Sequence, residues 1–264
     1  MIQKIIDFLI FFYTSKSKYR IHSPFVYQLI VNGLEVKLKE FKSTFKSAEN
    51  FRQKLQLNNQ LINIVDLGAN GIKKKKQYTL KISEIAKKQA KPLYQIKTLI
   101  KLALYFKPQL IIEFGTSLGI TSYHLASATA IPIITIEGNA ETAQLASKYL
   151  SNFMHVTVIN NSFDEWISNE IHQLSDNVLI FIDGNHQFNA TIKYYDFFAQ
   201  KATKNTILVF DDIYWNDEMK KAWQVIVEKN TNTVTIDLFY FGLVFFNLPT
   251  PKQHFKIFNT NLWE

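Results

Sequence analysis

Downstream of residue 109, short apolar runs alternate with longer stretches in which apolar residues recur at helical spacing. Short β-branched and aromatic runs are typical of buried strands, and strands that alternate with helices indicate βαβ units. The predicted strands are residues 110–114, 132–136, 155–159, 178–182 and 206–210. Helices are predicted over residues 119–130, 139–150, 163–173, 189–201 and 216–229. This alternation predicts an α/β fold with a parallel sheet and helices on both faces.

Two further apolar runs, residues 233–239 and 241–246, close the pattern, and only Tyr240 separates them. One residue is too short for a parallel crossover, so these two strands must be antiparallel. We therefore predict a Rossmann-like, mostly parallel sheet of seven strands that ends with an antiparallel strand.

The first 92 residues do not show this alternation of short apolar runs and helical stretches, and we predict a mainly helical N-terminal extension there. Residues 1–13 are apolar apart from Lys4, Asp7 and the polar Gln3, and no small-residue cleavage site follows them, so we expect a short helix docked on the domain. The alternative is peripheral membrane contact or a homodimer interface. A second helix should begin at Ser23-Pro24, because serine caps helices and proline suits the first helical position.

Between these helices and the alternating region, residues 66–79 are expected to form an exposed loop, since they contain Gly68, Gly71 and a run of four lysines. From Leu93 onward, apolar residues recur at helical spacing up to Pro108. We accordingly place the domain boundary between an extension of residues 1–92 and a domain of residues 93–264.

Composition narrows the class of protein. The chain has 264 residues, 47% of them hydrophobic, with 22 Phe, 12 Tyr and 4 Trp, which excludes a disordered chain. It has no cysteine, so disulfides and thiolate chemistry are excluded, and a reducing compartment such as the cytoplasm is expected. No apolar run approaches the roughly 18 residues that a transmembrane helix requires.

Charge is distributed unevenly. Residues 1–107 carry 21 Lys or Arg against 6 Asp or Glu, whereas residues 108–264 carry 9 against 16. A basic segment can steer an anionic partner such as RNA or a phosphorylated substrate, but a solvated lysine-rich face is the simpler interpretation.

The carboxyl ends of the predicted strands carry the candidate chemistry, because ligands of open parallel sheets bind there. Residues 113–119 read Glu-Phe-Gly-Thr-Ser-Leu-Gly, a strand that runs into a tight glycine turn and then a helix. Ser117 stands where the dinucleotide fingerprint has its second glycine, so a pyrophosphate would fit poorly. Glu137 ends the next strand, 24 residues after Glu113, where a carboxylate can accept both hydroxyls of a ribose.

Further along, Asp183 and His186 follow the fourth strand, and Asp211 and Asp212 follow the fifth. Side chains at neighbouring strand ends converge, and oxygen ligands such as these suit Mg²⁺ or another divalent cation. The simpler interpretation is that Asp212 or Asn216 caps the next helix. His186 is a candidate general base or a structural hydrogen-bonding group. Tyr214, Trp215 and Trp223 line an acceptor pocket or pack in the core.

In this order and spacing, these motifs resemble the class I S-adenosylmethionine-dependent methyltransferases, and among them the catechol and caffeoyl-CoA O-methyltransferases. The resemblance covers about residues 93–246. It implies an enzyme that methylates an oxygen of a small hydroxylated acceptor such as an aromatic hydroxyl compound.

The resemblance also implies residue roles. The cofactor S-adenosylmethionine would be held by Glu113, Gly115, Ser117, Gly119, Thr121, Glu137, Ser162, Phe163 and Asp183. A metal ion, where one is used, would be bound by Asp183, Asp211 and Asp212, of which the last is usually asparagine in the family. His186 lies where the catechol enzymes have a catalytic lysine, so Asp183 and His186 are the candidate catalytic residues. The N-terminal extension would serve as a lid over the acceptor.

Three alternatives stay open at this stage. A nucleic-acid or protein methyltransferase would use the basic segment to grip phosphates or an acidic partner. A non-catalytic homologue would bind the cofactor without turnover. A nicotinamide oxidoreductase is opposed by Ser117 and Ile120, which replace two glycines of its fingerprint.

Overall fold

The alternation of strands and helices is present in the structure, a computed structural model that describes residues 2–66, 76–169, 176–229 and 233–258. The chain divides into two compact units. The first unit comprises Met1–Val36 and Gln173–Glu264, and the second unit is Lys37–His172. Among the described residues, no helix is both long and apolar enough to cross a membrane.

The second unit begins with helical segments and a hairpin. Its described helices are α3 (Lys42–Gln56), α4 (Ile82–Lys88), α5 (Leu93–Phe106), α6 (Ile120–Ala128), α7 (Ala140–Leu150) and α8 (Phe163–Asn169). Its strands are β1 (Leu61–Asp66), β2 (Lys76–Lys81), β3 (Leu110–Phe114), β4 (Ile133–Glu137) and β5 (Val156–Asn160). Strands β3, β4 and β5 are parallel neighbours in that order, with Ile111 opposite Ile133 and Ile133 opposite Val156.

The first unit contains the remaining elements. Its described helices are α1 (Ile2–Thr14), α2 (Pro24–Leu29), α9 (Phe188–Lys201) and α10 (Asp217–Lys229), and its strands are β6 (Asn177–Ile182), β7 (Asn205–Asp211), β8 (Thr233–Asp237), β9 (Phe241–Phe246) and β10 (Gln253–Lys256). Their order is β10-β8-β9-β7-β6. Strand β9 is antiparallel to both neighbours, while β6 with β7 and β10 with β8 are parallel pairs.

The predicted fold class is confirmed, since mostly parallel strands alternate with helices and an antiparallel strand comes near the end. All six residues of β9 are buried, as a strand between two neighbours requires. Gly242 shows how tight this packing is, because a Cβ atom built on it would lie 2.5 Å from the Trp223 ring. Strand β10 was not predicted from the sequence.

The prediction of a loop over residues 66–79 is wrong at both of its ends. Asp66 ends β1, and Lys76 to Thr79 belong to β2, which pairs antiparallel with β1 from Leu61 opposite Lys81 to Asp66 opposite Lys76. The two strands pair only with each other, so β2 carries few apolar residues and its sequence lacks a buried-strand signal. Residues 67–75 lie outside the described part of the chain, as does the end of the helix predicted over 163–173.

The N-terminal helices are confirmed. Helix α1 is docked on its own unit through Phe8 and Phe11, whose rings lie 5.1 and 5.4 Å from that of Phe239. Helix α2 begins at Pro24, and the Ser23 hydroxyl accepts a 3.5 Å hydrogen bond from the Val26 N–H. The boundary predicted at residue 92 lies inside the second unit and stays a prediction.

Candidate active site

The loop that follows β3 owes its shape to three residues with left-handed backbone. Gly115, Ser117 and Gly119 have φ angles of 106°, 48° and 76°. At Gly119 a Cβ atom would also lie 3.1 Å from Cδ1 of Leu150. Glycine adopts such angles at little cost, whereas a side chain is strained there. Ser117 therefore takes up the conformation for which the dinucleotide fingerprint uses glycine, even though it has a side chain.

The loop is joined to the end of β4 by a hydrogen bond. The Ser117 backbone N–H donates to Oε2 of Glu137 at 2.8 Å, and Oε1 of the same carboxylate accepts the Asn139 N–H at 2.9 Å. On its other side, the Ser117 hydroxyl donates to Oε1 of Gln89 at 2.7 Å. Glu137 is half-buried, so its carboxylate is fixed in direction and still accessible to a ligand. The glycine turn and the carboxylate predicted to bind ribose thus meet within one unit.

Glu113 has different surroundings. Its side chain is fully buried, and its Oε2 accepts hydrogen bonds from the Ser122 hydroxyl of α6 and, at 2.7 Å, from the Thr135 hydroxyl of β4. The Thr135 hydroxyl also lies 2.6 Å from that of Thr116 in the loop. A buried carboxylate needs such donors, because an unsatisfied charge in the interior is costly. Glu113 therefore braces the start of α6 against β4, and its predicted contact with the cofactor stays a prediction.

Three further residues predicted to hold the cofactor, Thr121, Ser162 and Phe163, also lie in the second unit, at element ends, whereas Asp183 lies in the first unit. Thr121 is buried in the first turn of α6. Ser162 follows β5, and its hydroxyl accepts the Glu165 N–H at 3.2 Å, which caps α8. Phe163 meets the ring of Phe114 edge to face at 5.2 Å. These contacts fix the positions of the three residues without assigning them a ligand.

In the first unit, two carboxylates and an imidazole converge. Asp183, His186 and Asp211 each offer one ligand atom, and the three atoms lie within 4.8 Å of one another. Asp183 follows β6 and Asp211 ends β7, and the parallel register of these strands places Ile182 opposite Phe210. Asp211 is buried, while Asp183 and His186 are partly exposed. We call these three residues the DHD cluster.

Asp212, predicted as a metal ligand, is not part of the DHD cluster. Its backbone is left-handed, with φ of 51°, its N–H donates to the Tyr240 carbonyl at 2.9 Å, and its carbonyl accepts the Trp215 N–H at 2.8 Å. The residue therefore turns the chain after β7. Among the described residues, the third member of the DHD cluster is His186, which the sequence suggested as a base. A single sequence does not show whether His186 or Asp212 joins Asp183 and Asp211, because the choice depends on the conformation of each loop.

The segments around the DHD cluster are held by polar contacts and rings. Asn216 caps α10, because its Oδ1 accepts the Met219 N–H at 2.8 Å, and its Nδ2 donates to the His186 carbonyl at 3.2 Å. Trp215 is 57% exposed, and its ring lies 6.4 Å from that of His186. Tyr214 instead stacks on Phe239 at 4.8 Å, and Trp223 is buried. Of the three aromatic candidates for an acceptor pocket, Trp215 is the most exposed, Tyr214 is half-buried and Trp223 is buried.

Tyr214 is bound to a buried acid. Its hydroxyl donates to Oδ2 of Asp237 at 2.7 Å, and Oδ1 of Asp237 accepts the Phe239 N–H at 2.8 Å. Burial raises the pKa of Asp237, and burial together with the neighbouring carboxylate raises the pKa of Tyr214. This pair anchors the segment after Asp212 to the end of β8.

The comparisons with known proteins agree with this geometry. Residues 112–213 match the model of a family described as "Methyltransferase domain". The comparison with curated proteins found no match. Among solved structures, the SAH-bound methyltransferase PaMTH1 of Podospora anserina is 15% identical, with a TM-score of 0.52 over 81% of this chain and 99% of that one.

Two further solved structures are similar. The O-methyltransferase TomG of Streptomyces achromogenes, in complex with SAM, is 17% identical, with a TM-score of 0.50 over 61% of this chain and 82% of that one. A methyltransferase from Geobacter sulfurreducens is 15% identical, with a TM-score of 0.51 over 63% and 85%. At such identities the likeness shows the fold.

Residues 112–213, which match the methyltransferase-domain model, include the glycine turn, Glu137, Asp183 and Asp211. This part of the chain is therefore similar to a methyltransferase domain, and the solved methyltransferases named above share its fold.

Proposed function

We propose that this protein is an enzyme that transfers a methyl group from S-adenosylmethionine to a hydroxyl oxygen of a small acceptor such as an aromatic hydroxyl compound. The observation that carries the proposal is the hydrogen bond between the Ser117 N–H and Glu137, which couples the glycine turn to the strand-end carboxylate. The solved neighbour TomG is described as an O-methyltransferase in complex with SAM, which supports both the cofactor and the kind of acceptor.

The described residues fit the cofactor. Glu137 is accessible and aimed by two backbone N–H groups, which suits it to accept the ribose hydroxyls. The left-handed turn at Gly115 and Gly119 removes side chains where a ligand must approach the backbone closely. We assign Thr121 to the methionine part, Ser162 and Phe163 to the adenine, and Asp183 to the side of the methyl group.

The chemistry required of the protein is modest. When bound, S-adenosylmethionine supplies an electrophilic methyl group on a sulfonium, which is a good leaving group. With the cofactor bound, the acceptor oxygen would have to lie in line with the methyl–sulfur bond and would have to give up its hydroxyl proton. The protein contributes in-line positioning and removal of this proton.

The DHD cluster is suited to the second task. Two carboxylates and an imidazole form a donor set that first-row divalent cations and Mg²⁺ accept. When bound, such a cation supplies positive charge that lowers the pKa of an acceptor hydroxyl. We assign Asp183, His186 and Asp211 to the ion, which gives His186 a ligand's role in place of the general base predicted from the sequence.

The first experiment is calorimetric titration of the full chain with S-adenosylhomocysteine. We expect binding by the wild type and a loss of about tenfold or more with Glu137→Ala, as for a hydrogen bond to a charged group. Glu165→Gln, an exposed acid in the first turn of α8, is the matched control. NADH should give no heat. Equal affinity in Glu137→Ala and the wild type would overturn the assignment of the ribose site.

The proposal also covers the domain organisation of the chain and the compartment in which it acts. We infer that residues 93–264 form the catalytic domain and that residues 1–92 are an extension that closes over the acceptor. The absence of cysteine favours the cytoplasm as the compartment in which the reaction occurs.

A further inference from the structure

Helix α1 presents a row of apolar side chains that its own packing does not use. Ile5, Ile6, Leu9, Ile10 and Tyr13 are between 43% and 91% exposed. Their spacing of one, three, one and three residues keeps them on one side of an α-helix. We call these five residues the α1 stripe.

The other side of α1 is held firmly on the first unit. The Phe8 and Phe11 rings pack on Phe239, and Asp7 forms a 3.0 Å ion pair with Lys220 of α10. The packed face and the α1 stripe are therefore different sides of the helix. Docking of α1 on the protein does not explain why the stripe is apolar, and large exposed apolar patches usually mark a contact surface.

Within residues 1–36 the exposed charges beside the α1 stripe are cations, and the exposed Asp217 of α10 is paired with Lys220, the partner of Asp7. Within residues 1–36 the acids are Asp7 and Glu35, and both are ion-paired, Glu35 with Lys18 at 2.6 Å. Lys4 lies near the N-terminal end of the helix, and Lys16 and Arg20 follow its C-terminal end; all three side chains are exposed. The stripe is thus flanked by cations without an accessible anion between them.

Amphipathic aromatic residues lie at both ends as well. The Lys4 ammonium is 4.7 Å from the centre of the half-exposed Trp215 ring. At the other end, Tyr13 is 91% exposed and Tyr19 is 84% exposed. Aliphatic residues in the middle with Trp, Tyr and Lys at the edges are the pattern of a helix that lies in a membrane interface.

We propose that the α1 stripe docks this protein on the surface of an anionic phospholipid bilayer, with the aliphatic side chains inserted and the flanking cations at the headgroups. Charge favours this occupant over a second copy of the chain, because a symmetric pairing of α1 would bring Lys4, Lys16 and Arg20 together with their own copies. A 13-residue helix, about 20 Å long, is also short for the roughly 800 Å² per partner that stable dimers bury. The inference does not depend on the methyl-transfer reaction.

The test is co-sedimentation of the full chain with vesicles of phosphatidylcholine alone or mixed with phosphatidylglycerol. We expect binding to the mixed vesicles that weakens with added salt, and about fivefold weaker binding for each of Lys16→Gln and Arg20→Gln. Ile5→Glu combined with Leu9→Glu should abolish binding. Leu57→Glu and Met154→Glu, at the similarly exposed Leu57 (78%) and Met154 (95%) of the second unit, are the matched controls and should bind as the wild type does.

Because all four apolar positions are exposed, circular dichroism and the unfolding midpoint should be the same for these variants and the wild type, which separates lost binding from lost folding. Three results would overturn the proposal. They are no binding by the wild type, binding that survives Ile5→Glu with Leu9→Glu, and a concentration-dependent dimer in light scattering that this double variant disperses. The last result would show that the α1 stripe is the contact surface between two copies of the chain.

Discussion

Ser117 and Glu137, 20 residues apart in the sequence, are joined by a 2.8 Å hydrogen bond from the Ser117 backbone N–H to Oε2 of the carboxylate. The same carboxylate holds the Asn139 N–H, and the Asn139 side chain in turn caps α7 through the Thr142 N–H at 3.0 Å. One carboxylate therefore fixes both the loop after β3 and the start of the next helix.

The geometry of this turn depends on Gly119. We expect Gly119→Ala to lower the free energy of unfolding by about 1–2 kcal/mol, because a side chain at a φ of 76° is strained and the new Cβ crowds Leu150. Binding of S-adenosylhomocysteine should weaken as well, since the turn must shift. Urea denaturation measures the first effect and calorimetry the second. If the crowding matters, the same substitution should cost less in a Leu150→Ala background; equal costs in both backgrounds would leave the backbone angle as the sole cause.

Glu113 gives a second prediction, concerning stability. Its buried carboxylate accepts the Ser122 and Thr135 hydroxyls, so Ser122→Ala removes one donor from a charge that has no access to water. We expect a loss of about 1–3 kcal/mol in the free energy of unfolding, measured by urea denaturation. Ser168→Ala, which removes an exposed hydroxyl bonded to a carbonyl in α8, serves as the control and should change little. A loss no larger than that of the control would contradict the role given to Glu113.

Much of this fold could be predicted from the sequence because the strands of the matched domain are buried. Predicted strand 110–114 has the bounds of β3, and predicted strand 132–136 differs from β4 by one residue at each end. In such strands nearly every residue is apolar, and the surrounding helices have their own spacing. The same reasoning missed β1, β2 and β10. Strands β2 and β10 are largely polar, so their pairing leaves no apolar run.

The site was predictable in composition and less so in arrangement. The predicted strand bounds put Glu137, Asp183 and Asp211 at the carboxyl ends of their strands, and the structure has them there. Topology alone determines that position. The choice between His186 and Asp212 for the third place in the DHD cluster depends on loop conformation. Asp212 has a φ of 51°, an angle that a sequence does not specify for an aspartate.

The DHD cluster leads to a prediction that separates the two carboxylates of the β7 end. We expect Asp211→Asn to weaken Mn²⁺ binding strongly, and Asp212→Asn to leave it within about threefold of the wild type, because the Asp212 side chain is not among the converging ligand atoms. Asparagine also tolerates the left-handed backbone at position 212. Calorimetry or electron paramagnetic resonance with Mn²⁺ measures both affinities. A stronger effect of Asp212→Asn than of Asp211→Asn would show that Asp212 is a metal ligand. If the wild type did not bind Mn²⁺, the proposed metal site would be wrong.

His186 allows a further comparison within the same cluster. If its imidazole is a ligand, His186→Gln should lower Mn²⁺ affinity about tenfold or more, because one of the three converging ligand atoms is lost. Asn216→Ala, which removes the amide donated to the His186 carbonyl without touching the ring, is the control for loop position. Retained metal affinity in His186→Gln, together with lost methyl transfer, would instead assign His186 to proton removal.

The buried Asp237 makes stability depend on pH in an unusual direction. Burial raises the pKa of this carboxyl in the folded state above its ordinary value of 3.8, so the folded protein holds a proton that the unfolded chain has released. The stabilising contribution is full below pH 3.8 and declines as pH rises through the higher folded pKa, opposite to that of an ion-paired acid. Asp237→Asn keeps an acceptor for the Phe239 N–H and cannot ionise. We therefore expect the stability of the wild type relative to Asp237→Asn, measured by urea denaturation, to fall as pH rises above 3.8 through the higher folded pKa. A difference that rises with pH over this range would show that the ionised carboxylate is the form the fold prefers.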